Sequence, residues 1–129
     1  MNLILDTHAV VWWWIDDPRL PAVARAAIAE PTNLVHVSAV SPWEIATKNR
    51  LGKWPRVERI VDEFPSLLRK SRFVPLPITA EHARLAGTLD IPHRDPFDRM
   101  LIAQARLEKA TLVSADAIFK TLGETPIWA

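Results

Sequence analysis

The first residues of the chain place the strongest limit on its fold. Asn2-Leu3-Ile4-Leu5 is a short, uninterrupted apolar stretch, and an acid, Asp6, follows it directly. Apolar stretches of this length are typical of strands that are buried on both faces, as in parallel sheets. In open α/β sheets, ligands bind beyond the carboxyl ends of the strands. Asp6 is therefore predicted to lie at a binding edge, where it either helps to hold a metal ion or caps the next helix.

The rest of the chain alternates between strand and helix patterns. Further strands are predicted at 34–38, 73–76, 111–114 and 126–128. Helices are predicted at 8–15, 21–30, 41–51, 56–70, 79–89, 96–107 and 117–122. This alternation predicts a single α/β domain over residues 1–129, in which a mostly parallel sheet of about five short strands lies between helices on both faces, giving three layers. Pro75 has no ladder donor, so the strand that contains it is expected at an edge of the sheet.

Length and composition exclude several classes of protein. A chain of 129 residues is the size of one ordinary domain. No apolar stretch approaches the roughly 20 residues of a membrane-spanning helix, and the N-terminus lacks the features of a signal peptide. The sequence has no Cys, which excludes disulfides and thiolate metal sites. We therefore expect a cytoplasmic protein without a membrane partner.

Charge is unevenly distributed, although the formal net charge is only +1. Residues 48–72 contain eight basic and three acidic side chains, whereas residues 1–47 contain five acids and two Arg. A basic region beside an acidic site suits a polyanion that is held by its phosphates and cut with the help of a metal. The same charges are also typical of an ordinary solvated helix face.

Two helix starts share one pattern of cap, proline, aromatic and acid. In Asp95-Pro96-Phe97-Asp98, the first residue fits the N-cap and Pro fits the first helical position. Asp98 then falls at the third position, where the helix dipole favours an ionised carboxylate. Ser41-Pro42-Trp43-Glu44 matches the capping box and places Glu44 at the third position as well. A capping-box Glu needs no further role, so the pattern alone does not assign Glu44 to a site.

Four acids are predicted to share the carboxyl edge of the parallel sheet: Asp6, Glu44, Asp98 and Asp116. The sequence indicates no Lys or Arg that matches them at this edge, so their pKa values should rise unless a cation lies among them. Carboxylate oxygens suit Mg²⁺ or Mn²⁺ rather than zinc. A pair of such ions about 3.5–4 Å apart is a common device for the hydrolysis of phosphodiesters.

The residues as a whole resemble a known family, the PIN-domain ribonucleases of the VapC toxin type from bacterial and archaeal toxin–antitoxin pairs. The resemblance covers nearly the whole chain in order, and the stretch from His93 to Ala105 is its most specific part. The stretches that carry it are Leu5-Asp6-Thr7-His8, Ser41-Pro42-Trp43-Glu44-Ile45-Ala46, Gly52-Lys53, Leu76-Pro77-Ile78-Thr79, His93-Arg94-Asp95-Pro96-Phe97-Asp98-Arg99-Met100-Leu101-Ile102-Ala103-Gln104-Ala105 and Leu112-Val113-Ser114-Ala115-Asp116.

The resemblance implies a Mg²⁺-dependent endoribonuclease with a PIN-like fold, in which Mn²⁺ can replace Mg²⁺. It implies that the carboxylates of Asp6, Glu44, Asp98 and Asp116 form the metal and catalytic site, with Asp6 and Asp98 as direct ligands. Asp95 matches an acid that lies close to the site, as a cap or an outer residue. The resemblance also implies a homodimer, an RNA substrate, and a cognate antitoxin protein that wraps the toxin.

A domain of this fold that binds RNA or protein without cutting it stays open as the alternative function. A phosphoryl-transfer domain of the phosphatase type is disfavoured, because Asp6-Thr7-His8 lacks a second Asp two residues after the first. A receiver domain is disfavoured because its paired acids would directly follow the first strand, whereas Asp16-Asp17 lies beyond a predicted helix. Two further features have no assigned role. Three consecutive Trp at 12–14 point in three directions on a helix, so at least one ring is expected off the core face. His93 could meet a phosphate or support Asp95, although a single loop His is more often neither.

Overall fold

A parallel β-sheet organises the molecule, for which the computed structural model describes residues 1–124 and 126–128. The described residues form five strands in the order β3-β2-β1-β4-β5, and every neighbouring pair is parallel. The first strand therefore lies at the centre of the sheet, as its apolar sequence requires. The strands are β1 (Asn2–Leu5), β2 (Leu34–Ser38), β3 (Val74–Leu76), β4 (Thr111–Ser114) and β5 (Ile127–Trp128).

Helices connect the strands and cover both faces of the sheet, so the predicted α/β fold with a parallel sheet is confirmed. The helices of the described residues are α1 (Thr7–Trp14), α2 (Ala22–Ala29), α3 (Val40–Arg50), α4 (Glu58–Ser71), α5 (Ala80–Thr88), α6 (Pro96–Leu107) and α7 (Ile118–Thr121). Within this part of the chain, no helix has the length and the hydropathy that crossing a bilayer requires.

The central strand contributes side chains to the two hydrophobic cores, one on each face of the sheet, because successive side chains of a strand point to opposite faces. Leu3 and Leu5 pack with residues of α1, α2 and α4 on one face. Ile4 packs with residues of α6 and α7 on the other face. All three side chains are completely buried, which gives the three-layer arrangement.

The strand that contains Pro75 lies at an edge of the sheet, as predicted. Pro75 pairs with Val37 in β3, which has a neighbour on one side alone among the described residues. β5 occupies the opposite edge and pairs with β4. The missing N–H of Pro75 therefore leaves no gap inside the sheet.

The three consecutive Trp residues of α1 are all half-buried and pack against the core. Trp14 lies edge-on to Phe64 and donates a hydrogen bond of 2.7 Å from its indole to Ser71 Oγ. Trp12 lies 5.6 Å from Trp128, between ring centroids. Trp13 lies 6.3 Å from Phe73, between ring centroids. Each of the three Trp rings therefore has an aromatic partner outside α1, and none is fully exposed.

The predicted start of α3 is wrong. The helix begins at Val40 with Ala39 at the N-cap, and no side chain caps it. Ser41 lies inside the first turn and is completely buried, where its hydroxyl lies 3.1 Å from that of Thr7. Ser38 accepts a hydrogen bond from the N–H of Val40 instead. Burial of Ser41 against α1 overrides the local pattern that resembles a capping box.

Other helix ends differ from the predictions for local reasons. α4 begins at Glu58 rather than at residue 56, because Arg56 has a φ of 69°, which is incompatible with the helix. Thr79 caps α5 as predicted, and His82 completes the reciprocal capping box. The N–H of Thr79 donates to His82 Nδ1, and the N–H of His82 donates to Thr79 Oγ1, both at 3.1 Å. An imidazole nitrogen thus replaces the usual acid of this motif.

Candidate active site at the carboxyl edge of the sheet

Asp6 lies at the point where β1 ends and α1 begins, and it is both a helix cap and a buried carboxylate. Its Oδ1 accepts hydrogen bonds from the N–H groups of His8 (2.6 Å) and Ala9 (3.4 Å). Its Oδ2 accepts a hydrogen bond of 2.5 Å from the hydroxyl of Ser114. Burial raises the pKa of Asp6 above its ordinary value, although the bond from Ser114 and the charge of His8 act in the opposite direction. The two sequence interpretations of Asp6, cap and site residue, are therefore compatible.

Ser114 connects two of the predicted site positions. It is the last residue of β4, it is completely buried, and its hydroxyl donates to Asp6 while accepting from the N–H of Asp116 at 3.0 Å. Within the described residues, no Lys or Arg lies within salt-bridge distance of Asp6. The negative charge of Asp6 is thus stabilised by neutral donors alone, apart from His8 at 4.0 Å.

Asp98 occupies the third position of α6, and Asp95 caps that helix as predicted. Oδ1 of Asp95 accepts from the N–H groups of Phe97 (2.8 Å) and Asp98 (3.2 Å). His93 extends the arrangement, since its Nε2 lies 2.7 Å from Oδ2 of Asp98. The loop before α6 therefore brings His93 to Asp98 rather than to Asp95.

The pKa of Asp98 is raised to about 6, mainly by burial of its side chain. The hydrogen bond from His93 lowers this pKa, whereas the negative charges of Asp95 and Asp6 raise it. The helix dipole at the third position does favour ionisation, but loss of solvent outweighs it. The influence of Asp6 on Asp98 follows from their shared position at the carboxyl edge of the sheet.

Glu44 lies in the second turn of α3, and 5% of its surface is exposed. Its carboxylate forms an ion pair with the ammonium of Lys48, one helical turn further on. Burial alone would lower the pKa of Lys48, but its bond to Glu44 and the charges of Glu44, Asp95 and Asp98 raise that pKa overall. The expectation that no basic residue accompanies the acids is therefore wrong. The i, i+4 spacing of Glu44 and Lys48 is the sequence signal that identifies this pair.

Asp116 follows β4, and its side chain is exposed. Its Oδ1 accepts a hydrogen bond of 3.0 Å from the N–H of Ile118, at the start of α7. The structure thus brings the charge of Asp6 close enough to raise the pKa of Asp98, pairs Glu44 with Lys48, and leaves Asp116 in a local turn. In the part of the chain that the structure describes, no three or more His, Cys, Asp or Glu side chains are gathered closely enough to hold a metal ion.

Arg99 holds the loop that carries His93 and Asp95, a role that no sequence pattern indicated. Its guanidinium donates to four backbone carbonyls, those of Ala86 (2.9 Å), Leu89 (2.7 Å), Ile91 (3.2 Å) and His93 (2.9 Å). The planar guanidinium has enough donors to meet all four acceptors, which an ammonium does not. Arg99 therefore positions the segment before α6 relative to α5.

Comparison with known proteins agrees with this fold. The sequence pattern of the family described as "PIN domain" matches residues 3–124. The chain therefore belongs to the PIN domain family.

Two individual proteins are also similar to this chain. Ribonuclease VapC16 of Mycobacterium tuberculosis is 38% identical over 69 residues, which cover 50% of this chain and 49% of that protein. The match thus spans about half the length of this curated relative. The crystal structure of VapBC2 from Rickettsia felis, bound to a DNA fragment from its promoter, shares the fold with a TM-score of 0.68 and 18% identity. That similarity covers 98% of this chain and 96% of the matched chain. The resemblance to VapC-type PIN domains is confirmed.

Proposed function

We propose that this protein is a Mg²⁺-dependent endoribonuclease that acts as the toxin of a toxin–antitoxin pair. The observation that carries the proposal is a pair of carboxylates at the carboxyl edge of the sheet, of which Asp6 is buried and Asp98 is half-buried. Asp6 and Asp98 each have a raised pKa, and the charge of Asp6 contributes to the shift of Asp98. Two such groups are unfavourable as anions unless a cation joins them.

The chemistry of the donor set fits Mg²⁺. Hard carboxylate oxygens are its preferred protein ligands, and Mn²⁺ binds to the same ligands. We propose that Asp6 and Asp98 hold the ion directly and that Glu44 and Asp116 complete the catalytic site. Glu44 would then exchange its contact with Lys48, in part or entirely, for the cation.

When bound, the metal supplies a water of lowered pKa and neutralises charge on the leaving oxygen of a phosphodiester. The protein's own residues orient the ligands. Ser114 fixes one oxygen of Asp6, and His93 fixes one oxygen of Asp98. Mutation of residues that hydrogen-bond to metal ligands commonly lowers metal affinity or activity by about 10- to 100-fold. We propose that Lys48, whose ammonium lies beside Glu44, contacts a phosphate of the substrate.

RNA is proposed as the substrate because the curated relative is named a ribonuclease. The charge distribution agrees with a polyanionic substrate. Of the eight basic residues between 48 and 72, all except Lys48 are exposed. These are Arg50, Lys53, Arg56, Arg59, Arg69, Lys70 and Arg72.

An antitoxin protein and a second copy of the chain are the proposed partners. The structural neighbour is a VapBC2 complex, and the resemblance to VapC-type toxins implies a homodimer. RNA in the cell interior would be the target, so we place the protein in the cytoplasm. Growth arrest on expression, relieved by co-expression of an adjacent antitoxin gene and abolished by Asp98→Asn, is the expected cellular result.

Cleavage of RNA by the purified protein tests the enzymatic proposal. Cleavage is expected with Mg²⁺ and is expected to be lost with EDTA, with Asp6→Asn and with Asp98→Asn. Asp62→Asn, which changes an exposed acid of α4, serves as the matched control and should cleave normally. Equal cleavage in all samples indicates a contaminating nuclease. Salt-sensitive RNA binding without any cleavage supports the alternative, a non-catalytic binding module.

A further inference from the structure

An aromatic pair lies directly beside the acids of the candidate site. Trp43 precedes Glu44 in α3, and Phe97 precedes Asp98 in α6. The ring centroids of Trp43 and Phe97 are 4.9 Å apart, and their planes meet at 76° in an edge-to-face arrangement. The sequence neighbours of two site acids therefore contact each other between the two helices.

Trp43 is far more exposed than the other Trp residues that the structure describes. It is 57% exposed, whereas Trp12, Trp13, Trp14, Trp54 and Trp128 are half-buried. In an edge-to-face pair, whichever ring presents its edge, at least one face of the Trp43 indole is not covered by Phe97. Within the described residues, neither a further aromatic ring nor a cation stacks on Trp43. A flat aromatic face is thus open beside the site.

One cation lies over the Phe97 ring of this aromatic pair, and a second lies further along α3 from Trp43. The ammonium of Lys48 lies 5.8 Å from the ring centroid of Phe97. Arg50 is seven residues after Trp43 in α3, so it lies on the same side of the helix two turns away, and it is exposed. An open aromatic face together with nearby cations is the combination that binds single-stranded nucleic acid, since bases stack on the rings and phosphates contact the cations.

We propose that Trp43, supported by Phe97, stacks on an unpaired nucleobase of a single-stranded RNA next to the phosphodiester that the acids cleave. This inference rests on the proposed ribonuclease function and names the form of its substrate. A base within a duplex is already stacked on both sides, so this platform selects unpaired RNA. A second copy of the chain is a poorer occupant, because a two-fold contact through Trp43 brings the acids of both copies together.

Binding of short RNA in an inactive background tests the proposal. The probe is a fluorescent oligoadenylate of about 10 nucleotides, a length within the usual site size of single-strand binders, and the protein carries Asp98→Asn so that it cannot cut. Trp43→Ala is expected to weaken binding about 5- to 150-fold, which corresponds to the loss of one stacked base. Trp43→Phe should retain most of the affinity. Val23→Ala, at a similarly exposed position on α2 (56%), should have no effect.

Three results would overturn the proposal. These are unchanged oligoadenylate binding by Trp43→Ala, an equal loss of affinity for duplex RNA, and a change in oligomeric state on light scattering. The last result would assign Trp43 to a contact between copies. Failure of the ribonuclease function is distinguishable from these results, because it appears as absence of Mg²⁺-dependent cleavage by the protein with Asp98 and Trp43 intact.

Discussion

Ser114 and Asp6 are 108 residues apart in sequence, yet the serine hydroxyl donates a hydrogen bond of 2.5 Å to Oδ2 of the aspartate. Ser114 is the last residue of β4, and Asp6 directly follows β1, the parallel strand beside it. Both side chains are buried, so the hydroxyl replaces the water that would otherwise solvate this oxygen. Ser114 therefore fixes the direction in which Asp6 presents its charge.

Ser114→Ala is expected to impair the site more than the fold. Loss of the donor raises the pKa of Asp6 further and leaves one carboxylate oxygen without its protein partner. Mg²⁺ affinity or cleavage should fall about 10- to 100-fold, and the free energy of unfolding should fall by about 1 kcal/mol. Calorimetric titration with Mg²⁺ and denaturant unfolding measure the two effects.

Ser38→Ala is the matched control for that variant. Ser38 is also a completely buried serine at the end of a strand, but its hydroxyl accepts from Val40 and does not contact Asp6. It should lose similar stability and keep its Mg²⁺ affinity. An equal loss of affinity in both variants would show that Ser114 acts through general packing.

Asp98 should make the metal-free protein less stable as the pH rises. Its pKa in the folded state is about 6, against an ordinary value of 3.8, so the folded state binds more protons between these values. Stability is therefore lost as the pH rises from about 4 through about 6. After allowance for solvent screening, the loss at neutral pH is about 1–2 kcal/mol.

Asp98→Asn removes this loss and should be more stable than the unmutated protein at pH 7 in EDTA, with the difference vanishing near pH 4. Asp62→Asn, on the exposed side of α4, should show no such pH dependence. Added Mg²⁺ should reverse the order at pH 7, since a ligand at 100 times its Kd stabilises by about 2.7 kcal/mol. Thermal unfolding across pH, with and without Mg²⁺, checks these statements. The account would be contradicted if the Asp98→Asn variant were less stable than the unmutated protein at pH 7 in EDTA.

The Glu44–Lys48 pair should be strongly coupled in stability. Lys48→Met leaves the buried Glu44 carboxylate without its cation, at a cost of about 1–3 kcal/mol for a pair that is partly open to solvent. The double variant with Glu44→Gln should recover about 1–2 kcal/mol of the summed losses. Arg59 and Glu63 have the same i, i+4 spacing on α4 but are exposed, and their coupling should be much smaller. Urea unfolding of both double-mutant cycles measures the two coupling energies. Similar coupling energies in the buried pair and the exposed pair would contradict the prediction.

Arg99→Lys should loosen the loop before α6. An ammonium cannot meet the four carbonyls that the guanidinium joins, so we expect a loss of about 2–3 kcal/mol of stability. Faster hydrogen exchange is expected in residues 89–95, together with weaker cleavage because His93 and Asp95 lose their positions. Arg94→Lys, at an exposed position in the same loop, provides the comparison. If hydrogen exchange in residues 89–95 is unchanged in Arg99→Lys, Arg99 does not position this loop.

Much of the fold could be predicted because its signals are local. The strands at 34–38 and 111–114 match their predicted bounds, since β-branched and apolar residues end there at polar ones. Asp95 caps α6 as predicted, because cap, proline and acid are all supplied within one turn.

The parts that the sequence did not predict depend on contacts between distant segments. Ser41 has the local pattern of a cap, yet burial against Thr7 places it inside the helix. The pKa of Asp98 follows burial rather than the helix dipole. Ser114 could not be assigned to Asp6 without the strand order. That the four acids bind a metal together stays a prediction.

Anomalous diffraction from crystals soaked in Mn²⁺ tests the central claim most directly, since Mn²⁺ is a visible substitute for Mg²⁺ at carboxylate sites. We predict a peak about 2.0–2.3 Å from carboxylate oxygens of both Asp6 and Asp98, which Asp98→Asn abolishes. A peak at another place, or none at saturating Mn²⁺ while the RNA is still cut, would contradict the proposed metal site.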